Sequence, residues 1–178
     1  KRQGLLGIHP WMARGIDVLV LNHGSYDRVA AQDMTMENLR QTMAINFEGA
    51  VSVWKAVQPH LTAHARMVVV SSQLGTRGSP HGADYSASKA ALSTWARSLA
   101  QAVGPEGKRV NVLAPGYVDT DILAGDSAEK RQQRETEVPL KRVGSPDDMA
   151  KTISFLVGED SSYITGAIIH VNGGLYLP

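Results

Sequence analysis

Apolar positions recur along the chain in two rhythms. Residues 17–21, 66–71 and 109–113 are short apolar runs rich in β-branched side chains and read as buried strands, and residues 167–171 supply a fourth. Between them the period lengthens to that of a helix. Residues 35–61 carry Leu39, Met43, Phe47, Val51 and Trp54 at helical spacing, and residues 83–103 set Leu92, Trp95, Leu99 and Val103 on one stripe. Residues 146–157 follow Ser145, a good N-cap with proline in the first helical position. Residues 125–137 are charged and weakly patterned, and read as a mobile helical excursion over the surface. Strands alternating with helices predict parallel βαβ units in an α/β, doubly wound sheet, with residues 1–178 forming one domain.

Composition narrows this picture little. Of 178 residues, 43% are hydrophobic and 20% charged, and the formal net charge is +1, so nothing favours nucleic acid or an anionic membrane surface. The apolar runs are far too short to span a bilayer. No charged-then-apolar leader opens the chain, which leads to the expectation of a cytoplasmic protein. With no cysteine there is no disulfide, thiolate nucleophile or cysteine metal site. His60 and His64 stand four apart near an expected helix end, but the intervening Leu61-Thr62-Ala63 lacks the glutamate of a zinc helix, and no metal is expected. No Gly-x-Ser-x-Gly elbow occurs, which argues against a serine hydrolase.

The strand ends carry the chemistry. In open α/β sheets ligands bind outside the carboxyl ends of the strands. Those ends here are Asn22-His23-Gly24, Ser71-Ser72 and Pro115-Gly116-Tyr117, each small, polar or glycine-containing. Tyr85 and Lys89 lie four apart near a helix start and so share a face. A free tyrosine, with a pKa of about 10, is a poor base at neutral pH, and a nearby ammonium favours its phenolate. A Ser72 hydroxyl beside the pair could donate to a substrate oxygen while Tyr85 moves a proton. The small residues of Tyr85-Ser86-Ala87-Ser88-Lys89-Ala90-Ala91 leave room for a bulky cofactor.

From about Ile16 to its end the chain resembles the short-chain dehydrogenase/reductase family, and within it the β-ketoacyl-(acyl-carrier-protein) reductases. Ser72, Tyr85 and Lys89 match the family's serine and Tyr-x-x-x-Lys centre, and Asn46 its helix asparagine. Leu21-Asn22-His23-Gly24 stands for the family's Asn-Asn-Ala-Gly, with His23 replacing alanine. Pro115-Gly116-Tyr117-Val118-Asp119-Thr120 resembles the segment that contacts the nicotinamide and cofactor phosphates, and residues 164–174 resemble the last strand.

The resemblance implies a Rossmann-like fold and hydride transfer between NADP, or NAD, and a carbonyl or alcohol. Asn46, Ser72, Tyr85 and Lys89 would be catalytic: Tyr85 the proton donor, Lys89 lowering its pKa and binding the nicotinamide ribose, Ser72 polarising the carbonyl and Asn46 holding a proton-relay water. Asn22, His23, Gly24, Pro115, Gly116, Val118 and Thr120 would join Tyr85 and Lys89 in contacting the cofactor. Ser72, Tyr117 and Ile122 would line the substrate pocket, and His23 either shapes that pocket or faces solvent.

The ending Val171-Asn172-Gly173-Gly174-Leu175-Tyr176 favours an acyl thioester substrate, with acyl carrier protein a possible partner. Sugar, steroid and polyketide-type alcohols remain alternatives, as does a non-catalytic fragment that only binds partners. Lys130-Arg131 and Arg134 form either a steering patch for an acidic carrier or a solvated charged face. Complete relatives are commonly homotetramers.

The family's glycine-rich phosphate turn has no counterpart, and Gly4-Leu5-Leu6-Gly7 is not that motif. The Asn22 strand resembles the family's fourth. The expectation is therefore a C-terminal portion lacking the first three strands, on the order of sixty to seventy residues at roughly thirty per βαβ unit. The stretch before Ile16 would end the preceding crossover. Residues 17–21 would then form an uncovered hydrophobic edge, prone to aggregation, in a chain unable to hold a dinucleotide tightly.

Overall fold

The structure, a computed structural model, describes residues 15–178. Gly4–Gly7 and the expected end of a crossover lie outside the described residues, apart from Gly15. The first element is strand β1 (Ile16–Leu21), after which helix α1 (Met36–Met43) runs through a π-helical turn (Ala44–Glu48) into α2 (Gly49–Val57). A 3-10 turn (Gln58–His60) leads to β2 (Leu61–Val70), α3 (Leu74–Arg77) and the long α4 (Ala83–Val103). Then come β3 (Arg109–Pro115), α5 (Ala128–Glu137), α6 (Pro146–Val157) and β4 (Ile168–Val171).

The four strands lie in sequence order and every pair is parallel. Parallel neighbours need crossovers, and the helices supply them over both faces. On one face Met67, Val69, Val110 and Val112 pack against Ala50 of α2 and Leu92, Ala96 and Leu99 of α4. On the other, Val68 and Leu113 pack against Leu156 of α6, with Met149 and Ile153 beside it. Strands β2 and β3 are thus covered twice, which is why their sequences read as unbroken apolar runs. Strand β1 is covered once. Leu19 and Leu21 face α2 and α4, while Val18 and Val20 on the opposite face remain 45% and 38% exposed. Among the described residues β1 has one hydrogen-bonded neighbour, β2.

Several helices start where local chemistry dictates. Ser145 accepts a hydrogen bond from the Asp148 N–H and Asp148 accepts one from the Ser145 N–H, a reciprocal cap with Pro146 in the first turn. Thr35 and Asn38 do the same for α1. Ser127 caps α5, so within residues 125–137 the stretch from Ala128 is helical.

One expected boundary is wrong. The helical pattern over 35–61 stops at Val57, because Pro59 lacks the N–H needed to continue it. Leu61 already pairs with Ile16, so β2 begins five residues before the apolar run at Arg66. Ala63 and His64 there are exposed, which hid the strand from a search for apolar runs. His60 therefore sits in a 3-10 turn and His64 in a strand, and the two do not share a helix face. Trp54 and Trp95 meet edge to face at 6.0 Å, in the packing role expected of them.

Candidate active site

The carboxyl ends of β1, β2 and β3 open into a cavity of about 610 Å³. Ser72 follows the end of β2 by two residues and is 9% exposed, and its Oγ accepts a hydrogen bond from the Leu74 N–H at 3.2 Å. Tyr85 and Lys89, in the first turns of α4, are 9% and 4% exposed. Both line the cavity with Ser72, and Lys89 Nζ stands 5.8 Å from the Tyr85 ring centre. Lys89 donates to the Val70 carbonyl at 3.0 Å. An ammonium has three donors, so two remain to serve a ligand in the cavity.

Asn46 is fully buried and lies in the π turn of the α1–α2 helix. Such turns reposition a side chain by admitting one extra residue. Its Oδ1 accepts from the Ser25 N–H at 2.8 Å, and its Nδ2 donates to the Ser25 carbonyl and to Ser88 Oγ, each at 3.0 Å. Both amide protons are thereby engaged, which leaves only the second acceptor position of Oδ1 to meet a water. Gly24 is held between these groups. A Cβ there would stand 3.1 Å from Lys89 Nζ and 3.2 Å from Asn46 Oδ1, so a side chain would crowd the pair.

The electrostatics depart from expectation at Tyr85. Burial raises its pKa above the ordinary 10.0, partly offset by a hydrogen bond with Ser72, and neighbouring Tyr26 adds to the rise. Burial alone lowers Lys89 to about 8. The expected depression of Tyr85 by an adjacent ammonium is not what this geometry gives. Lys89 points to a carbonyl, and its own charge is disfavoured by the same desolvation. At neutral pH Tyr85 is a protonated phenol.

Asn22, His23 and Gly24 lie along the cavity on the β1 side. Among them His23 approaches the helix, since a Cβ on Gly49 would stand 3.0 Å from its Nε2. Pro115, Gly116, Val118 and Thr120 flank the cavity beyond β3, as do Tyr117 and the 52% exposed Ile122. The whole expected set lines this one cavity except Asn46, which sits behind it. Ser88 of α4 donates to the Tyr85 carbonyl within the helix at 2.7 Å and accepts from Asn46 Nδ2 at 3.0 Å, and Ser71, just after β2, donates to the Lys89 carbonyl at 2.9 Å, so serines tie this turn of α4 to its neighbours.

Over the far side lies α5. Arg134, only 8% exposed, forms an ion pair with Asp126, which also meets Arg28 at 3.2 Å. Its guanidinium stands 4.4 Å from the Tyr117 ring, and the Tyr117 hydroxyl donates to Glu137 at 3.1 Å. Arg131 pairs with Asp119 at 2.6 Å. Arg131 and Arg134 are thus committed within the chain, and of the expected steering patch only Lys130 bears no ion pair among the described residues. Tyr26, Ser88 and the Arg28–Asp126–Arg134 group were not foreseen. Tyr26 follows the Asn22 turn closely enough to have been a candidate, but Ser88 lies 42 residues from Asn46 and Arg28 lies 98 residues from Asp126.

A family profile described as enoyl-(acyl carrier protein) reductase matches residues 10–176. The 3-oxoacyl-(acyl-carrier-protein) reductase of Escherichia coli is 34% identical over 164 residues, covering 91% of this chain and 67% of that protein. The chain belongs to the short-chain dehydrogenase/reductase family. Another relative in that family, the 3-oxoacyl-(acyl-carrier-protein) reductase of Aquifex aeolicus, is 35% identical over 91% of this chain and 66% of its own length. A crystal structure titled short-chain dehydrogenase/reductase, glucose/ribitol dehydrogenase, from Brucella melitensis superposes with a TM-score of 0.88 at 32% identity, covering 92% of this chain and 66% of that one. The chain thus spans about two thirds of the length of these short-chain dehydrogenase/reductase relatives.

Proposed function

We propose that this chain is the catalytic part of an NAD(P)H-dependent ketoreductase acting on 3-oxoacyl thioesters. The observation that carries the reading is the grouping of the Ser72 and Tyr85 side chains with Lys89 Nζ in one cavity at the strand ends. A carbonyl oxygen seated there meets two hydroxyl donors. Its developing negative charge is stabilised by Ser72 while Tyr85 gives up its proton. Tyr85 carries its proton at neutral pH, as a donor must, although the burial that raises its pKa also makes it a weaker acid. Lys89, with two N–H groups to spare, binds a ribose hydroxyl, and the bare Gly24 admits the sugar beside it. Asn46 fixes the loop after β1 against α4. A bound nicotinamide supplies the hydride, and the protein supplies orientation and proton transfer.

NADP is the expected cofactor, with NAD the alternative. The names of the curated relatives favour a 3-oxoacyl substrate, presented on acyl carrier protein, in fatty acid biosynthesis within the cytoplasm. The enzyme is expected to be a homotetramer. No helix among the described residues is long and apolar enough to cross a membrane. The test follows nicotinamide absorbance in the protein translated from its whole reading frame. A 3-oxoacyl thioester should be reduced with NADPH faster than with NADH, and a 2-enoyl thioester should not be reduced. Reduction of the enoyl thioester alone would assign the other chemistry, and substantial turnover by Tyr85→Phe would remove the proton donor from the scheme.

A further inference from the structure

Tyr26 belongs to none of the groups assigned above, yet it touches the centre of the site. Its ring centre lies 4.5 Å from that of Tyr85, with the planes tilted by 40°. Its hydroxyl donates to the His81 carbonyl at 2.6 Å, which ties the ring to the loop before α4. Gly82 is shaped around it: a Cβ there would overlap the ring edge and stand 3.1 Å from the hydroxyl oxygen, and the backbone φ of 141° is one that side chains rarely adopt. The loops on either side are also joined. Ala30 and His81 form an antiparallel bridge, and the Ala31 N–H donates to the Pro80 carbonyl at 2.9 Å. The loop after β1 and the loop before α4 thereby make one wall, and Tyr26 is its face toward the cavity.

We propose that Tyr26 is a specificity-determining residue, a fixed aromatic wall against the Tyr85 ring that admits carbonyl substrates with an unbranched chain beside the carbonyl and rejects those branched at the adjacent carbon. This rests on the ketoreductase reading above. A flat or methylene-bearing substituent can slide along an aromatic face, whereas an added methyl group meets a ring tied to the opposite loop. One methyl group in an apolar site is worth roughly 10- to 200-fold in selectivity.

The experiment compares a straight-chain 3-oxoacyl thioester with its 2-methyl counterpart in the complete protein. The ratio of their kcat/KM values is measured for the wild type, Tyr26→Ala, Tyr26→Leu and Tyr26→Phe. Tyr26→Ala should move the ratio toward the branched substrate by at least about tenfold, with Tyr26→Leu between it and the wild type. Tyr26→Phe keeps the ring and should hold the ratio within about threefold of wild type. Circular dichroism checks that each variant folds, and Tyr26→Leu carries the test should Tyr26→Ala unfold. Turnover with an unmoved ratio overturns the wall and spares the function. If the wild type reduces neither compound, the proposed function falls. NMR titration of both compounds then decides the wall: a changed affinity ratio in Tyr26→Leu supports it, and an unchanged ratio, or binding to neither protein, overturns it.

Discussion

Helix α4 and helix α5 border the same cavity but are held by different forces. Helix α4 is buried along its length, with Leu92, Ala96 and Leu99 in the core, and its Tyr85–Lys89 turn is bound to the segment after β2 and to the π turn by short serine hydrogen bonds. Ser93 Oγ lies 2.8 Å from the Lys89 carbonyl and 2.7 Å from Ser71 Oγ, closing a polar cluster with no charge in it. Helix α5 buries Arg134 and little else, and rests on the Arg28–Asp126–Arg134 ion pairs and the stack on Tyr117. A helix with no apolar face opens at low free energy, whereas one in the core opens only with the whole domain. The fold thus sets Tyr85, the proposed proton donor, on the rigid element and covers the cavity with an element that charge holds down.

The largest effect should separate chemistry from both helices. Tyr85→Phe should lower turnover by roughly 10²- to 10⁴-fold in the complete protein while amide exchange in α4 and α5 stays as in the wild type. Loss of exchange protection along α4 in that variant would mean that the hydroxyl holds the helix rather than moving a proton.

Breaking the α5 anchor comes next. Asp126→Ala leaves a buried guanidinium without its carboxylate, which destabilises by about 3–5 kcal/mol where the charge stays buried. Because α5 can swing into water, the observable result should be fast exchange over 128–137, a raised KM and an unchanged kcat. A fall in global Tm of the same size as for a core mutation would show that α5 and α4 unfold as one unit.

Acid should do the same reversibly. Asp126 has its pKa lowered, first by the Arg134 hydrogen bond, and Asp119 by that of Arg131. A carboxylate depressed in the folded state contributes stability that is complete above its unfolded value of about 4 and is lost as pH falls through the folded value. Below about pH 4, then, exchange in 128–137 should rise before that of α4. Lys89 has a slope of the same sign in a higher pH window, from a different cause, since burial disfavours its charge. Its folded pKa of about 8 lies below the ordinary 10.5, so the folded state binds fewer protons and stability should rise with pH across that window.

The smallest effect tests the polar cluster. Ser88→Ala removes the acceptor of Asn46 Nδ2 and one donor to the Tyr85 carbonyl, and should cost about 1 kcal/mol by denaturant unfolding. Its mark on activity should fall on kcat, since it loosens the π turn behind Lys89. An effect confined to stability would make the cluster purely structural.

The same contrast explains what could be read from the chain. Helix α4 was legible because its apolar stripe is its buried face, and α6 because serine and proline mark its start. The α1–α2 helix was legible as a helix but not in its orientation. Its apolar residues Leu39, Met43, Phe47, Val51 and Trp54 are all half-buried, whereas the fully buried line is Thr42, Asn46 and Ala50. That line faces α4 through Thr42 to Asp84 at 2.7 Å and Asn46 to Ser88 at 3.0 Å, contacts 42 residues apart that no local period encodes. Residues of the site were found because they cluster at strand ends. The electrostatics were not, because desolvation depends on how deeply the Tyr85–Lys89 pair is buried, and spacing along a helix says nothing of depth.

The π turn at Ala44–Glu48 makes chain length itself a functional variable. It loops one residue more into the helix than an α-helical repeat would hold, so α1 and α2 stand out of phase by about the 100° that one residue subtends. Deleting a single residue there would yield a more regular helix and a protein that still folds, with the asparagine swung away from Ser88 and Lys89. A one-residue gap in this segment of a related sequence would therefore mark the loss of the Asn46–Ser88 contact where an alignment would show only a harmless shortening.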